Sequence, residues 1–464
     1  MAGGTWDAQN KELPGVYINF KSSPGMLSVI GSRGIVGIPK PLSWGDTEEI
    51  IDITSIEDVY PKLGYDINSP QMLFVREMLL GTPQTSGASQ ILIYRLPAIG
   101  AAAAALTISE FTVTARYSGE RGNDISVVID PHPDTEYGDG LYAVFTVRTI
   151  VDGIVEDSQT VGSYESDTEQ TPATVGDLRD NIWVKFSGAA TGLLEPSAGA
   201  SLSGGLDGSP ATTGYSSFLK AIESRMFNVI IYDGDDPVVK SSFALFVKRR
   251  SYETGRYCQA VVADYTGADN ETCISVTNGF RLNDGTVLDN AKATWWVGGA
   301  TAGASYNQSL TYKAHPGAVS PYPRLGEPEM IAAVNGGGFV FFEEFGAVKV
   351  LTDINTFTGF TPKKRKHFRK NRVIRTLFAI ANDVYRTYSR FYIGNTDNDA
   401  DGQMLLKKDV VGYILELQGN SAVNNFTKDD VDVLTGIDGD AVIVNIAVQP
   451  TDAIEKIYMT VTVS

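Results

Sequence analysis

Few side chains in this sequence have the type and spacing that metal binding or covalent catalysis requires. The histidines are His132, His315 and His367, and each lies far from the others along the chain. Zinc sites normally draw two or more His or Cys ligands from a short, regular spacing. We therefore predict structural or surface roles for these histidines, and no metal-binding residues.

One segment resembles the first half of a calcium-binding loop. Residues 397–402 read DNDADG, in which alternate carboxylates converge and Gly402 permits a sharp bend. The twelfth position of such a loop should be a bidentate Glu, but here it is Lys408. Because an ammonium group at that position excludes a complete EF-hand, the sequence predicts an acidic surface loop between two helices. Weak, partial cation binding is the alternative.

Motifs of nucleotide and acyl chemistry are absent from the sequence, which contains no Walker loop, GxSxG elbow or HExxH motif. The glycine run 336–338 lacks the GxGxxG spacing and precedes a strand pattern, so we predict a turn there. These observations predict a protein that is not an enzyme, with no catalytic residues and no cofactor. A Rossmann-like enzyme is the rival interpretation, because α/β texture supports many chemistries.

The strongest local charge feature is a basic cluster at 363–375. No acidic residue interrupts it, although the whole chain has a formal net charge of −17. Such a cluster forms a solvated face, docks on an acidic protein surface or contacts nucleic acid. Phe368 is its only Phe, Tyr or Trp, so no stacking platform supports nucleic-acid binding. The cluster comprises Lys363, Lys364, Arg365, Lys366, Arg369, Lys370, Arg372 and Arg375.

Composition sets the broad class of the protein. At 464 residues the chain is best divided into about three domains, and its hydrophobic content of 43% is that of a globular protein. The acidic net charge argues against a general binder of nucleic acid or anionic membranes. The apolar run 98–106 is too short to span a bilayer, and the N-terminus shows no secretory signal. Cys258 and Cys273 are too few to form a disulfide framework.

The pattern of elements predicts an α/β domain interrupted by a β-rich insertion. Strand patterns at 27–38 and 90–96 flank a helical pattern at 69–80, and alternation of helix and strand resumes after about 213. Between them, residues 107–200 carry short alternating strands separated by Gly, Asp and Pro turns. The last third adds a strand pair at 338–352 and amphipathic helices near 374–392 and 404–418.

Both ends of the chain carry strand patterns without a neighbouring hairpin partner. Residues 14–20 place Val16, Ile18 and Phe20 on one face, and further patterns occupy 441–448 and 454–463. An unpaired terminal strand either docks on its own domain or is lent to a neighbouring copy. One face of the last strand pattern comprises Ile457, Met459, Val461 and Val463.

Taken together, the segments resemble contractile phage tail sheath proteins, especially those of Gram-positive myophages, defective prophages and contractile bacteriocins. The resemblance spans nearly the whole chain and depends on the order and spacing of short segments. These are LPGVYINFKSSPG, ARYSGERGNDISV, TWWVGGATAGASYNQSLTYK, KVLTDINTFTGF, HFRKNRVIR and VQPTDAIEKIYMTVTV.

The resemblance implies a structural protein that forms hexameric rings, stacked helically around a tail tube, with baseplate and tail terminator proteins as further partners. Terminal arms would be exchanged between copies, and contraction would drive the tube through a cell envelope without nucleotide hydrolysis. The protein would be made in the bacterial cytoplasm and reside in a virion tail or phage-tail-like particle, without nucleic acid or a membrane anchor. A type VI-like sheath is the structural alternative.

The resemblance also implies a division of the chain. The fold class is α/β, or multidomain α+β, with an α/β core, an inserted β-rich domain, and a C-terminal α/β domain that carries exchanged strands. Part of the basic cluster, 363–372, would face the tube. The predicted domains are an N-terminal arm (1–26), the core (27–97 and 213–315), the outer insertion (98–212), the tube-facing domain (316–448) and a C-terminal arm strand (449–464).

Overall fold

A computed structural model describes residues 2–4, 15–17, 33–47, 49–109, 111–138 and 140–462, with backbone only for the first two segments. The chain divides into two compact units. We call residues 33–374 and 454–464 the core unit, and residues 1–32 and 375–453 the helical unit. Each unit is described separately.

A mostly parallel sheet forms the centre of the core unit. Its order places the second parallel strand outside the first and the later strands on the other side, the arrangement 2-1-3-4-5-6. The strands read as continuous apolar runs because both faces are covered, and an antiparallel edge strand closes one side. In spatial order the strands are Ile51–Ile53, Gln90–Arg95, Ile35–Lys40, Val229–Tyr232, Gln259–Ala263, Cys273–Val276 and Gly338–Phe339.

Helices cover this sheet and build the helical unit. Two of them begin at typical N-terminal signals: Asp236 and Asp289 accept hydrogen bonds from the backbone of the first turn of helices Pro237–Glu253 and Asn290–Gly303. The α-helices of the described residues are α1 (Val59–Leu63), α2 (Leu73–Leu80), α3 (Thr213–Ile222), α4 (Pro237–Glu253), α5 (Asn290–Gly303), α6 (Glu327–Asn335), α7 (Asn371–Phe391) and α8 (Ala400–Gly419). The 3₁₀ helices are Ile56–Asp58, Pro70–Met72, Glu120–Asp124, Pro133–Thr135, Val175–Asp177, Thr266–Ala268, Lys366–Arg369 and Lys428–Asp430.

Helix α5 packs against α2 at a distance that only glycine permits. A Cβ atom added to Gly299 would lie 2.1 Å from the carbonyl oxygen of Met78, and one added to Gly303 would lie 2.1 Å from that of Gly87. Beside this contact, the indole Nε1 of Trp296 donates a hydrogen bond to Gly81 O at 2.7 Å. The small residues of the segment WWVGGATAG therefore set the distance between the two helices.

The inserted β module consists of two antiparallel sheets that share one hydrophobic core. Alternate residues of its strands are buried, as expected of strands that each turn one face to a core. This confirms the predicted β-rich insertion. One sheet has the order Ile154–Val161, Phe145–Val151, Ile125–Pro131 and Ser197–Ser201, and the other has Val184–Gly188, Phe111–Ala115 and Ala105–Ile108. Smaller pairs are Glu136–Gly138 with Leu141–Tyr142, and Ser163–Ser166 with Glu169–Thr171.

Aromatic rings and an arginine join the module to the rest of the core unit. This remainder contains the central parallel sheet and is called the sheet domain below. Trp44 of the sheet domain packs against Trp183 and Tyr117 of the module, with ring centroids 5.0 and 5.2 Å apart. Buried Arg95 donates to the carbonyl oxygens of Leu42, at 2.8 Å, and of Ser118 in the module, at 2.6 Å.

A second arginine and a strand pair complete the joint. Arg121 of the module donates to Gly64 O of the sheet domain at 2.7 Å and to the carboxylate of Asp152. The two linkers to the module pair with each other as strands Ala98–Ile99 and Ser209–Pro210. The module and the sheet domain therefore share buried polar and aromatic contacts as well as two chain connections.

The remaining strands of the core unit lie between α4 and α7. The predicted strand pair around Gly346 is confirmed as Phe341–Glu344 and Ala347–Val350. The predicted glycine turn is confirmed too, since Gly337 has a φ of +92° immediately before a strand. The other strands here are Gly279–Leu282, Val287–Leu288 and Ala318–Tyr322.

The helical unit contains α7 from Arg375 onward, α8, and short antiparallel pairs. Tyr413 of α8 donates a hydrogen bond to buried Asp383 of α7 at 2.8 Å, and Tyr392, the residue after α7, donates to buried Asp409 of α8. Both predicted helices are present; α7 begins and ends earlier than predicted, and α8 extends beyond the predicted range at both ends. The strand pairs are Val431–Thr435 with Val442–Ile446, Val423–Asn424 with Gln449–Pro450, and the parallel pair Ala2–Gly4 with Gly15–Tyr17.

The division between the compact units falls between Ile374 and Arg375, whereas the sequence predicts the start of a C-terminal domain at residue 316. Strands Ala318–Tyr322 and Gly338–Phe339 pair with strands of the sheet domain, so the chain up to Ile374 belongs to the core unit. Long-range strand pairing of this kind has no local sequence signal, which explains the difference. The other predicted domain boundaries stay predictions.

Candidate functional site: the terminal arms and the basic cluster

The C-terminal segment is apolar and exposed. Residues 451–462 form no strand with the part of the chain that the structure describes, although 454–463 carry a clear alternating pattern. Side chains on both faces of this pattern are open to solvent, including Ile457 (79% exposed), Tyr458 (90%), Met459 (79%) and Val461 (75%). Val463 lies outside the described residues. A β pattern that its own subunit leaves unpaired and uncovered is suited to pairing with another chain.

The N-terminal segment is described only at Ala2–Gly4 and Gly15–Tyr17, whose backbones pair in parallel. Val16 therefore lies in a strand, as the sequence predicts. Ile18 and Phe20, the other members of its predicted face, lie outside the described residues. The role of all three in subunit contacts stays a prediction.

The structure separates the basic cluster into exposed and internal members. Lys363, Arg365 and Lys366 are exposed. Lys364 instead pairs with the carboxylate of buried Glu271, and its ammonium group lies 4.6 Å from the ring centroid of Tyr252. Only part of the cluster is therefore available to a partner.

The C-terminal part of the cluster, residues 369–375, is more buried than residues 363–366. Arg369 is only 8% exposed, and burial lowers the pKa of its guanidinium. Lys370 forms an ion pair with Glu455 of the C-terminal segment, while Arg372 is half-buried and Arg375 is buried. The cluster thus does not form one continuous solvated face.

The histidines have structural or surface positions, as predicted. Buried His315 hydrogen-bonds through Nε2 to the carboxyl group of Glu77 at 2.8 Å, and its Nδ1 accepts a hydrogen bond from Gly317 N at 3.0 Å. His132 Nε2 lies 2.8 Å from Thr146 Oγ1, and His367 is exposed. Among the residues that the structure describes, no three His, Cys, Asp or Glu side chains are grouped to hold a metal ion.

Both cysteines are free and fully buried. Burial raises the pKa of the Cys258 and Cys273 thiols to about 12. Since the thiolate is the reactive form, both residues are chemically inert in the folded protein at neutral pH. Their role is to pack the sheet.

Residues 397–399 of the calcium-like segment lie in the predicted loop between α7 and α8, whereas residues 400–402 form the first turn of α8. Asp399 is the N-cap of α8, and its Oδ1 accepts a hydrogen bond from Gly402 N at 2.8 Å. This carboxylate therefore satisfies a helix end.

Many enzymes with this sheet topology bind their ligand at the switch point, where the strand order reverses. The residues at that point therefore test the rival enzyme interpretation. The switch lies between strands Ile35–Lys40 and Val229–Tyr232, at their carboxyl ends. There, Lys40 pairs with Asp233, which also accepts a hydrogen bond from Trp295 Nε1 at 2.8 Å. The Lys40 ammonium group lies 4.7 Å from the Trp295 ring centroid. An internal ion pair, largely shielded from solvent, thus occupies the ligand position, which favours a structural role for the sheet.

Four family models match consecutive parts of the chain. They are the phage tail sheath domain III N-terminal region (residues 33–96), β-sandwich domain (100–207), central domain (208–356) and C-terminal domain (363–464). The chain belongs to the phage tail sheath family, a family of structural proteins.

Relatives of known origin agree with this assignment. The chain is 35% identical to the phage-like element PBSX protein XkdK of Bacillus subtilis, over the full length of both. The sheath tail protein of Desulfitobacterium hafniense is 42% identical, with a TM-score of 0.82 over 96% of this chain and 99% of that one. The corresponding protein of Listeria innocua is 32% identical, with a TM-score of 0.77 over 93% and 95%.

More distant structures share the fold alone. The helical sheath of the anti-feeding prophage in its contracted state is 12% identical, with a TM-score of 0.54 over 97% of this chain and 99% of that one. The family models and the Desulfitobacterium structure confirm the predicted mixed α/β fold with an inserted β-rich domain, and the matching model describes that domain as a β-sandwich. No described helix has the length and apolar character needed to cross a membrane.

Proposed function

We propose that this sheath protein polymerises as hexameric rings stacked helically around a tail tube, and that it contracts to drive the tube through a cell envelope. The observation that carries the proposal is the exposed, unpaired β pattern of residues 454–462. A strand that its own subunit leaves open provides backbone groups for a second copy, so that the polymer becomes a network of exchanged strands.

The mechanism is mechanical. Exchanged arms keep neighbouring copies connected while the rigid core units exchange one set of contacts for another. Contraction requires only that the second set be lower in free energy, and small gains per copy add up over the polymer. In this proposal the baseplate and tail terminator proteins cap the polymer, and the particle is a virion tail or a related phage-tail-like device assembled in the bacterial cytoplasm.

Contact with the tube is proposed for the exposed part of the basic cluster, Lys363, Arg365 and Lys366. The chain as a whole is acidic, so a local group of exposed cations favours an acidic partner surface. Surface ion pairs are individually weak, about 0 to 1 kcal/mol each. Such contacts suit a tube that must slide when the sheath contracts.

Removal of either arm should abolish assembly. We expect the full-length protein, purified with its tube protein, to form hollow cylinders that are visible by negative-stain electron microscopy. Variants lacking residues 1–22 or 456–464 should stay as single particles, because each lacks a donated strand. Circular dichroism should show that both variants remain folded. Cylinders of normal length from both truncated proteins would overturn the strand-exchange proposal.

Charge reversal in the exposed part of the cluster should weaken tube binding without preventing self-assembly. In the triple variant Lys363→Glu, Arg365→Glu and Lys366→Glu, three attractive contacts become repulsive, so we expect at least a tenfold loss of tube co-sedimentation at low salt. Lys185→Glu, an exposed lysine of the β module, is the matched control for a change of surface charge. Equal co-sedimentation of the wild type and the triple variant would contradict the tube contact.

A further inference from the structure

The carboxylate of Glu455 is held by three donors of the core unit. Its Oε1 accepts a hydrogen bond from Thr311 Oγ1 at 2.9 Å, and its Oε2 accepts one from Thr352 Oγ1 at 3.3 Å. The ammonium group of Lys370 pairs with the same Oε2 atom. The Lys370 and Glu455 side chains are only 20% and 17% exposed, which distinguishes this pair from an ordinary surface ion pair.

The segments that carry the donors are also held by contacts that do not involve Glu455. Thr311 Oγ1 accepts a hydrogen bond from the backbone of buried Asp353, at 2.9 Å, and Asp353 also accepts from Leu310 N and Asn371 Nδ2, each at 2.9 Å. An antiparallel bridge between Ile354 and Lys370 joins the same segments. Three separate stretches of chain thus converge on one carboxylate-binding position.

The contacts and exposure of the C-terminal segment change at Glu455. Before it, the backbone N–H of Thr451 donates to Ala422 O at 2.8 Å within the helical unit. After it, every described residue, 456–462, is exposed. Its neighbour Ile454 is 87% exposed, so the carboxylate, and not apolar packing of that neighbour, holds this part of the chain.

We propose that Glu455 is the anchor of the C-terminal arm, which fixes the point at which the arm leaves its own subunit and presents residues 456–464 to a second copy of this chain. This inference rests on the proposed strand donation. The presented arm reaches about 30 Å when extended. Without the anchor, residues 452–455 also become free, and their conformational entropy must be lost each time a strand is donated.

Spin labelling of the unassembled protein tests the anchor by itself. Cys258 and Cys273 are buried and inert, so a nitroxide on Ile454→Cys labels one site of the full chain. We expect a restricted label in the otherwise unaltered protein, and a freely moving label after Glu455→Ala or Lys370→Met, which remove the pair from either side. Asp452→Asn is the matched control, because its exposed carboxylate accepts a local hydrogen bond from Ala453 N and has no ion pair among the described residues. A label that moves equally in all four proteins overturns the anchor.

Assembly measurements test the role in presentation. Glu455→Ala and Lys370→Met should each raise the critical concentration for polymerisation at least tenfold, whereas Asp452→Asn should leave it within twofold. A freed label with an unchanged critical concentration would show that the anchor does not govern strand donation, and would overturn this part of the inference. If the unaltered protein does not polymerise, the proposed function fails, while the label still reports on the anchor.

Discussion

Replacement of Gly299 by alanine is expected to lower the free energy of unfolding of the core unit by about 3 kcal/mol or more. The added methyl group would lie 2.1 Å from the backbone oxygen of Met78, so α5 must move away from α2. Backbone atoms cannot rotate aside as a side chain can, so the whole helix contact loosens. The intrinsic helix preference of alanine over glycine, about 1 kcal/mol, is too small to offset this loss.

Urea unfolding monitored by tryptophan fluorescence is the appropriate measurement, because Trp44, Trp183, Trp295 and Trp296 all belong to the core unit. Gly267→Ala is the control, since a Cβ atom at Gly267 meets nothing within 4 Å. It should change stability by less than 1 kcal/mol. A Gly299→Ala protein as stable as this control would show that α5 and α2 are not in close contact in solution.

Replacement of His315 by alanine is expected to cost about 3 to 5 kcal/mol. The imidazole donates its Nε2 proton to Glu77, because Nδ1 is already occupied as an acceptor from Gly317 N. Its ring also packs on Phe280 and Trp296, with centroids 4.3 and 5.2 Å away. The variant would therefore leave a buried carboxyl group without this donor, and a cavity between aromatic rings.

A double replacement tests whether apolar packing can substitute for the buried pair. Glu77→Leu combined with His315→Phe replaces both polar partners by apolar groups, so it should recover much of the loss. Glu343→Ala removes one partner of the exposed pair with Arg324 and should cost less than about 1 kcal/mol. If His315→Ala is no more destabilising than Glu343→Ala, the buried pair contributes nothing beyond a surface contact. Urea unfolding, monitored as for Gly299→Ala, measures all of these variants.

Most of the fold could be predicted because the signals are local. Continuous apolar runs such as 90–96 identified strands covered on both faces, and the amphipathic period of 374–392 identified α7. The β-rich insertion was evident from alternation and turn residues. The predicted domain boundary at residue 316 does not coincide with the boundary between the compact units, because pairing between strands far apart in the chain leaves no local pattern.

The candidate site could be predicted only in part. The exposed apolar pattern of the C-terminal arm is visible in the sequence, but its anchor is not, since Glu455 looks like any acidic residue near a strand. The basic cluster was visible as charge, yet burial of Arg369 and pairing of Lys364 depend on distant segments. Thr311, Thr352, Lys370 and Glu455 lie in four of the segments that carried the family resemblance. Those short segments therefore meet at one place in the fold.

The two linkers to the β module lie side by side, at Ala98–Ile99 and Ser209–Pro210. The module can therefore be replaced by another domain at these two positions. The chain enters and leaves it at neighbouring positions, about 5 Å apart as in any antiparallel pair, so a foreign domain with adjacent termini could be inserted there without stretching the sheet domain. The obstacle is the surface that the module covers. A replacement would have to shield Trp44 and supply an acceptor for Arg95, which otherwise loses Ser118 O. Recombination between related sheaths should therefore preserve these joint residues, even where the outer faces of the module diverge.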